Sequence, residues 1–135
     1  QAGTLQATKA PIAAGGEGWS AHILVHPNGR FLYVSNRQES PERGTENTLG
    51  VFRLDARGEP TPLPDAFVSD GIDTVRDFHI DASGRFLISV NQEGDRSVHV
   101  FRIDRQTGQL TRTQVIGFGD QPAFVHVLGP LPPRR

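Results

Sequence analysis

Asn28-Gly29-Arg30-Phe31-Leu32-Tyr33-Val34-Ser35-Asn36 returns 55 residues later as Ser83-Gly84-Arg85-Phe86-Leu87-Ile88-Ser89-Val90-Asn91. The companion stretch Val51-Phe52-Arg53-Leu54-Asp55 returns as Val100-Phe101-Arg102-Ile103-Asp104, now at an offset of 49, so a loop of different length separates the two halves of each copy. One module, running from His22 to Asp55 and again from Asp77 to Asp104, is therefore present twice. A repeat of roughly 20–50 residues, made of short strand-like runs split by Gly and Pro, belongs to propellers and other arrays.

Helical periodicity is hard to find, whereas runs of Val, Ile, Leu and Phe stop at turn signals about every eight to twelve residues, as in all-β arrays. Four strands are expected in each module. In the first they are Ala21 to His26, Phe31 to Asn36, Thr48 to Leu54 and Leu63 to Ser69. In the second they are Asp77 to Asp81, Phe86 to Asn91, Ser97 to Ile103 and Gln109 to Ile116. His26-Pro27-Asn28-Gly29 and Asp81-Ala82-Ser83-Gly84 place Gly where a tight hairpin needs positive φ. The nearly continuous apolar runs Phe31 to Val34 and Phe86 to Val90 suit strands covered on both faces.

The ends extend the pattern. Gly3-Thr4-Leu5-Gln6-Ala7-Thr8 resembles Gly108-Gln109-Leu110-Thr111-Arg112-Thr113, the turn that opens a fourth strand. Pro122-Ala123-Phe124-Val125-His126-Val127 reads as the first strand of a further module, before Pro130, Pro132 and Pro133 stop regular structure. The expected fold is all-β: a partial β-propeller with two complete four-stranded antiparallel blades and one flanking strand at each end. Residues 1–19 would be the last strand of a preceding blade with an entry loop, 20–70 and 71–118 the blades, and 119–135 the first strand of a following blade with a Pro-rich tail. A closed ring typically has about four to eight blades, so the remaining blades of a longer chain are the expected partner. The start without Met predicts an excerpt or a removed leader.

The composition narrows the function. Lys plus Arg number 14 against 15 Asp plus Glu, a formal charge of −1 that argues against nucleic-acid or membrane-surface binding through bulk charge. With 36% apolar and 21% charged residues, the 135-residue chain reads as soluble and able to bury one modest core. No apolar run reaches the roughly 18 residues of a membrane span. No secretory signal stands at Gln1 to Ala10. The absence of Cys removes disulfides, thiolate zinc sites and cysteine nucleophiles, and fits a reducing compartment.

At Ala21-His22-Ile23, Pro27 to Arg37, Arg76-Asp77-Phe78, Ser83-Gly84-Arg85-Phe86-Leu87 and Asn91-Gln92, the chain resembles the C-terminal part of the seven-bladed lactonase propellers. That is the family of bacterial cytosolic 6-phosphogluconolactonase and fungal carboxymuconate cyclase. The resemblance implies hydrolysis of a sugar lactone, 6-phosphogluconolactone to 6-phosphogluconate in the pentose phosphate pathway. It implies a cytoplasmic setting, a polar pocket on one face of the propeller, and no metal or other cofactor. His22 stands where relatives tend to be acidic, and Thr74-Val75-Arg76 where they tend to have Thr-Pro-Arg. Two other readings share an anion-holding Arg: muconate-type ring closure, and a non-catalytic module binding an anionic ligand or a protein partner.

Blade geometry sorts the candidate residues. Starts of first strands and ends of second strands emerge on one rim, which would gather His22, Arg37, Arg76, Asp77, Asn91 and Gln92. The two Gly hairpins would lie on the opposite rim as structural turns. Arg37 and Arg76 are expected to bind the anion and to steady the oxyanion formed when water attacks a lactone, since the guanidinium fork stays charged and grips phosphate or carboxylate bidentately. Their ordinary alternative is pairing with Asp70, Asp73 or Asp77. Either His22 or a carboxylate from the absent blades is the candidate general base, so this piece alone is expected to be inactive, and the ordinary alternative for His22 is a structural hydrogen bond. Asp77, Asn91 and Gln92 complete the substrate-binding set.

Other signals read as structural. His79 and His126 fall at equivalent repeat positions, which favours packing, and His99 is expected to face solvent. His22 and His26, four apart on a strand, would be separated by about 13 Å, too far to share a metal ion. Gly15-Gly16-Glu17-Gly18 lacks the Lys-Ser/Thr ending of a phosphate loop and reads as a flexible entry. No Gly-x-Ser-x-Gly elbow supports a serine hydrolase. The loop Gln38 to Asn47, which carries the six extra residues of the first copy, lies beside Arg37 and is either a determinant of specificity or a tolerated polar insertion at a blade edge.

Overall fold

The computed structural model describes residues 19–37 and 47–129. The readings placed on Gly3 to Thr8, on Gly15 to Gly18, on the loop as far as Glu46 and on the prolines from Pro130 onward lie outside those residues. The rest forms two four-stranded antiparallel sheets. The first is β1 (Trp19–Val25), β2 (Phe31–Arg37), β3 (Thr48–Leu54) and β4 (Pro60–Pro62), hydrogen-bonded in chain order. The second is β5 (Val75–Ile80), β6 (Phe86–Asn91), β7 (Ser97–Ile103) and β8 (Leu110–Gly117), in the same order.

The repeat is kept down to its irregularities. In β1 the register steps from Ser20↔Asn36 to Ile23↔Val34, and in β5 from Val75↔Asn91 to Asp77↔Val90, so both first strands bulge near their start. A bulge re-aims the side chains beside it, here those of His22 and Arg76. Both hairpins also close alike, with His26 and Asp81 each donating its amide to the carbonyl of the Phe five residues on.

Two expected elements differ. The fourth strand of the first sheet, expected over Leu63 to Ser69, comes earlier and is split. Pro60–Pro62 pairs with the end of β3, a 3-10 turn follows over Pro64–Ala66, and Val68 returns to Leu49 through a single bridge. The cause is proline, which lacks the ladder N–H: Pro60 and Pro62 confine the pairing to an edge, and Pro64 starts the turn. The stretch Pro122 to Val127, expected as a strand, makes no ladder. In both sheets the first strand pairs with the second strand of its own sheet, and none stands beside this segment among the described residues. Side-chain contacts hold it instead: the Val125 amide donates to Asp77 Oδ2 at 2.8 Å, and the His126 ring meets His79 edge-on at 4.3 Å.

The core lies between the sheets. Phe31, Tyr33, Leu49 and Val51 of the first sheet pack against Phe78, Ile80, Leu87, Phe101 and Ile103 of the second, all of them buried. Removing such side chains from water drives the pairing, at about 1.5–3 kcal/mol for each large one. Two hydrogen bonds set its register. The Tyr33 hydroxyl donates to the Gly108 carbonyl at 2.8 Å, and burial, with the nearby Asp104 charge, pushes its phenol well above the usual range, so it remains a donor. His26 Nδ1 accepts the Asn28 amide at 3.0 Å, which puts the ring proton on Nε2, 2.8 Å from the Gly84 carbonyl.

Gly84 is thus pressed by a residue of the other sheet: an added Cβ would stand 2.6 Å from His26 Cε1, at a φ of +66°. Its repeat partner Gly29 has nearly the same φ, +69°, with nothing within 4 Å. Gly29→Ala should therefore cost only the left-handed backbone penalty of about 1 kcal/mol. Gly84→Ala should cost roughly 2–4 kcal/mol, because overpacking between the sheets is added. Urea denaturation of the two variants measures the difference; equal losses would mean that His26 does not press on Gly84.

Candidate functional site

β5 lies against β1 and β2, so the first strands of the two sheets are neighbours and their bulges sit side by side. His22 Nδ1 stands 3.3 Å from Asp77 Oδ1, with 34% of the His22 side chain exposed. The imidazole meets the Phe78 ring edge-on at 5.0 Å, and the His22 amide donates to Ser35 Oγ at 3.1 Å. Arg37 ends β2 opposite Trp19, half-buried, with its Nε buried and unpartnered. Arg76 is the extra residue of the β5 bulge; it is exposed, and its Nε donates to Gln92 Oε1. His22, Arg37, Arg76, Asp77, Asn91 and Gln92 all lie at strand starts or second-strand ends, at the end of the sheets away from the Gly29 and Gly84 hairpins.

They are not equally available to a ligand. Both oxygens of the buried Asp77 are engaged, by His22 and by the Val125 amide. Asn91 is fully buried: its Nδ2 donates to the Gly71 carbonyl and to Asp95, and its Oδ1 accepts the Asp73 amide. His22, Arg37, Arg76 and Gln92 keep open surface. The acids considered as partners for the arginines have other contacts. Asp70 pairs with Arg112 at 2.8 Å, and Asp73 accepts from Asn47 and Thr74.

Thr74, which launches β5, has a φ of 45°, an outlier for a β-branched residue. Asn47, at the entry to β3 of the other sheet, accepts the Thr74 amide at 3.1 Å and donates to Asp73 at 3.2 Å. The strained turn that precedes Arg76 is therefore held across the sheets. The sequence marks Thr74 and the loop ending at Asn47 separately but gives no sign of the contact between them, because it crosses from one sheet to the other.

Beneath the rim of the second sheet lies a polar plug. His99, expected in solvent, is 1% exposed. Strand alternation turns Ser97, His99, Phe101 and Ile103 to the same inner face, whatever the strand's place in the sheet. His99 Nε2 lies 3.0 Å from Asp95 Oδ2, and Asn91 Nδ2 is 3.0 Å from Asp95 Oδ1. Partial burial would raise the Asp95 carboxyl, yet hydrogen bonds hold it down at about 2. Ser97, Asn91 and His99 surround it; the last two are within hydrogen-bond geometry, and the buried Ser97 hydroxyl lies just outside it. On the other face of β5, burial and then the neighbouring His126 lower His79 from the ordinary 6.5. Among the described residues no three His, Asp or Glu side chains gather as a metal site, and no helix is long and apolar enough to cross a membrane.

Two four-stranded antiparallel sheets, packed face to face with their first strands adjacent and their candidate polar residues on one rim, are neighbouring blades of a β-propeller. Comparison with known proteins agrees: the model of the lactonase family, described as a 7-bladed β-propeller, matches residues 1–127. The chain belongs to that family. It is 37% identical over 114 residues to a 6-phosphogluconolactonase of Yersinia pestis, a match covering 84% of this chain and 31% of that protein. A 6-phosphogluconolactonase of Yersinia enterocolitica is 36% identical over 112 residues, covering 83% and 31%. The periplasmic gluconolactonase of Pseudomonas aeruginosa superposes with a TM-score of 0.67 at 28% identity, covering 86% of this chain and 30% of that one. The chain thus spans about a third of the length of the relatives it matches, 31% in the first of them.

The Asp95 plug makes the second blade acid-sensitive. A carboxyl whose folded pKa, about 2, lies below the ordinary 3.8 adds stability at pH above 3.8 and loses it as pH falls toward 2. With the Asp95 side chain 46% exposed, solvent screening limits the contribution to about 1 kcal/mol. Denaturation of Asp95→Asn and wild type should differ most near neutral pH and converge toward pH 2. A difference that is constant over that range would contradict the assignment.

Proposed function

We propose that the chain supplies two blades of a longer lactonase propeller that hydrolyses a sugar lactone, 6-phosphogluconolactone to 6-phosphogluconate, in the cytoplasm. The observation that carries this reading is the presence of His22, Arg37 and Arg76 at one end of two adjacent blades. Relatives named for that reaction support it. The open face of the first blade, where Ile23 and Val25 are exposed beside a groove of about 400 Å³ formed with Val34 and Phe52, is where a preceding blade would pack.

Each side chain has a part in the reaction. The exposed Arg76, aimed by Gln92, holds the phosphate in its planar fork. The half-buried Arg37 stands toward the lactone carbonyl, because a charge in a drier setting stabilises an oxyanion more strongly. His22 takes a proton from water as the water oxygen bonds to the carbonyl carbon. When the tetrahedral intermediate collapses, the ring C–O bond breaks and that proton passes to the departing ring oxygen, leaving an open hydroxy acid. One water is consumed and no electrons change hands.

Arg76→Ala in the full-length protein should lower kcat/KM for 6-phosphogluconolactone roughly tenfold or more. The unphosphorylated lactone should lose much less. Wild-type rates on the phosphorylated substrate would end this reading of Arg76, and an equal loss on both substrates would move it from the phosphate to the carbonyl.

A further inference from the structure

We propose that Asp77 is a positioning residue, holding the His22 proton on Nδ1 so that Nε2 is the bare, proton-accepting nitrogen. The pairing stands on geometry alone, while its catalytic use rests on the lactone-hydrolysis reading above.

Asp77 is 7% exposed, and an ionised carboxylate only accepts hydrogen bonds. The Val125 amide satisfies Oδ2 at 2.8 Å, while Oδ1 faces His22 Nδ1 at 3.3 Å. A buried carboxylate oxygen left facing a nitrogen lone pair would be repelled by it, so the favourable arrangement has Nδ1 protonated. At 3.3 Å the two atoms stand at ion-pair distance without the alignment of a formed N–H···O bond, and catalytic contacts are often loose in this way before substrate binds.

The ring has little freedom to do otherwise. Phe78 lies against it edge-on, with an interplanar angle of 88°, and the backbone beneath is pinned in the bulge by the bond from the His22 amide to Ser35 Oγ. Two first strands and the segment containing Val125 thus converge on one carboxylate. The partly exposed His22 is left with a nitrogen free to work. This differs from a substrate-binding role for Asp77, because the carboxylate is buried and each of its oxygens already faces a partner within the protein.

The pairing is read by nitrogen-15 NMR of the histidine-labelled chain, at a pH well above the ordinary imidazole value of about 6.5. Wild-type His22 should show a protonated Nδ1 and an unprotonated Nε2. Asp77→Asn preserves shape and can still accept the Val125 amide through Oδ1, but it turns an NH2 group toward Nδ1 and should move the proton to Nε2. A wild-type ring protonated on Nε2, or one tautomer shared by both proteins, would overturn the proposal. The wild-type spectrum decides even if the variant folds poorly.

In the full-length protein, Asp77→Asn should lower lactone kcat roughly 10- to 100-fold with KM nearly unchanged. Raised KM with kcat intact would return Asp77 to substrate binding and overturn the positioning role. Should the wild-type protein hydrolyse no lactone, the functional reading fails while the spectra still judge the pairing.

Discussion

The structure depends on the apolar contact between two sheets, latched by two side chains that cross it. Phe31 and Tyr33 project from β2 into the face of the second sheet, and burial of these and their neighbours provides the driving force. Apolar contact alone would tolerate sliding. His26 against the Gly84 carbonyl and Tyr33 against the Gly108 carbonyl remove that freedom, since a slipped register would leave buried polar groups unpaired at about 1–3 kcal/mol each. The latch lies at the hairpin end and the candidate site at the other. What it fixes is nevertheless the approach of β1 to β5, and with it the meeting of His22, Asp77 and Phe78.

Much of the fold was legible because local and global signals agree in the middle strands. β3, β6 and β7 have the limits read from the sequence, and β2 runs one residue further, to Arg37. These strands adjoin glycine turns and carry apolar runs that feed the core between the sheets, so composition and turn chemistry give one answer. The first sheet's outer strand was misplaced where proline overrode an apolar run. The segment around Val125 was read by analogy with two strands that each have a ladder partner, which this one lacks among the described residues. His99 departs from the solvent-facing expectation because a strand's place in the sheet does not decide which face a side chain takes; alternation puts it on the inner one, with Phe101 and Ile103.

The site was legible at the level of placement and opaque at the level of contact. Strand order alone puts Arg37, Arg76 and His22 on one rim, because antiparallel pairing returns the end of β2 to the start of β1. It does not reveal that Asn91 turns inward to Asp95 or that both Asp77 oxygens are taken. The latch did leave a trace: His26 occupies the turn position of Asp81. That Asp closes its own hairpin by accepting amides from Ser83, Arg85 and Phe86. A histidine in its place keeps one nitrogen for the turn and exports the other to the neighbouring sheet.

The most direct test of this architecture is a set of proton–proton NOEs across the two sheets in the isotopically labelled chain. The blade arrangement predicts cross-peaks between the His22 and Phe78 rings at one end, where the centroids are 5.0 Å apart, and between the His26 ring and Gly84 at the other. Strong cross-peaks within each sheet with both of these absent would contradict it.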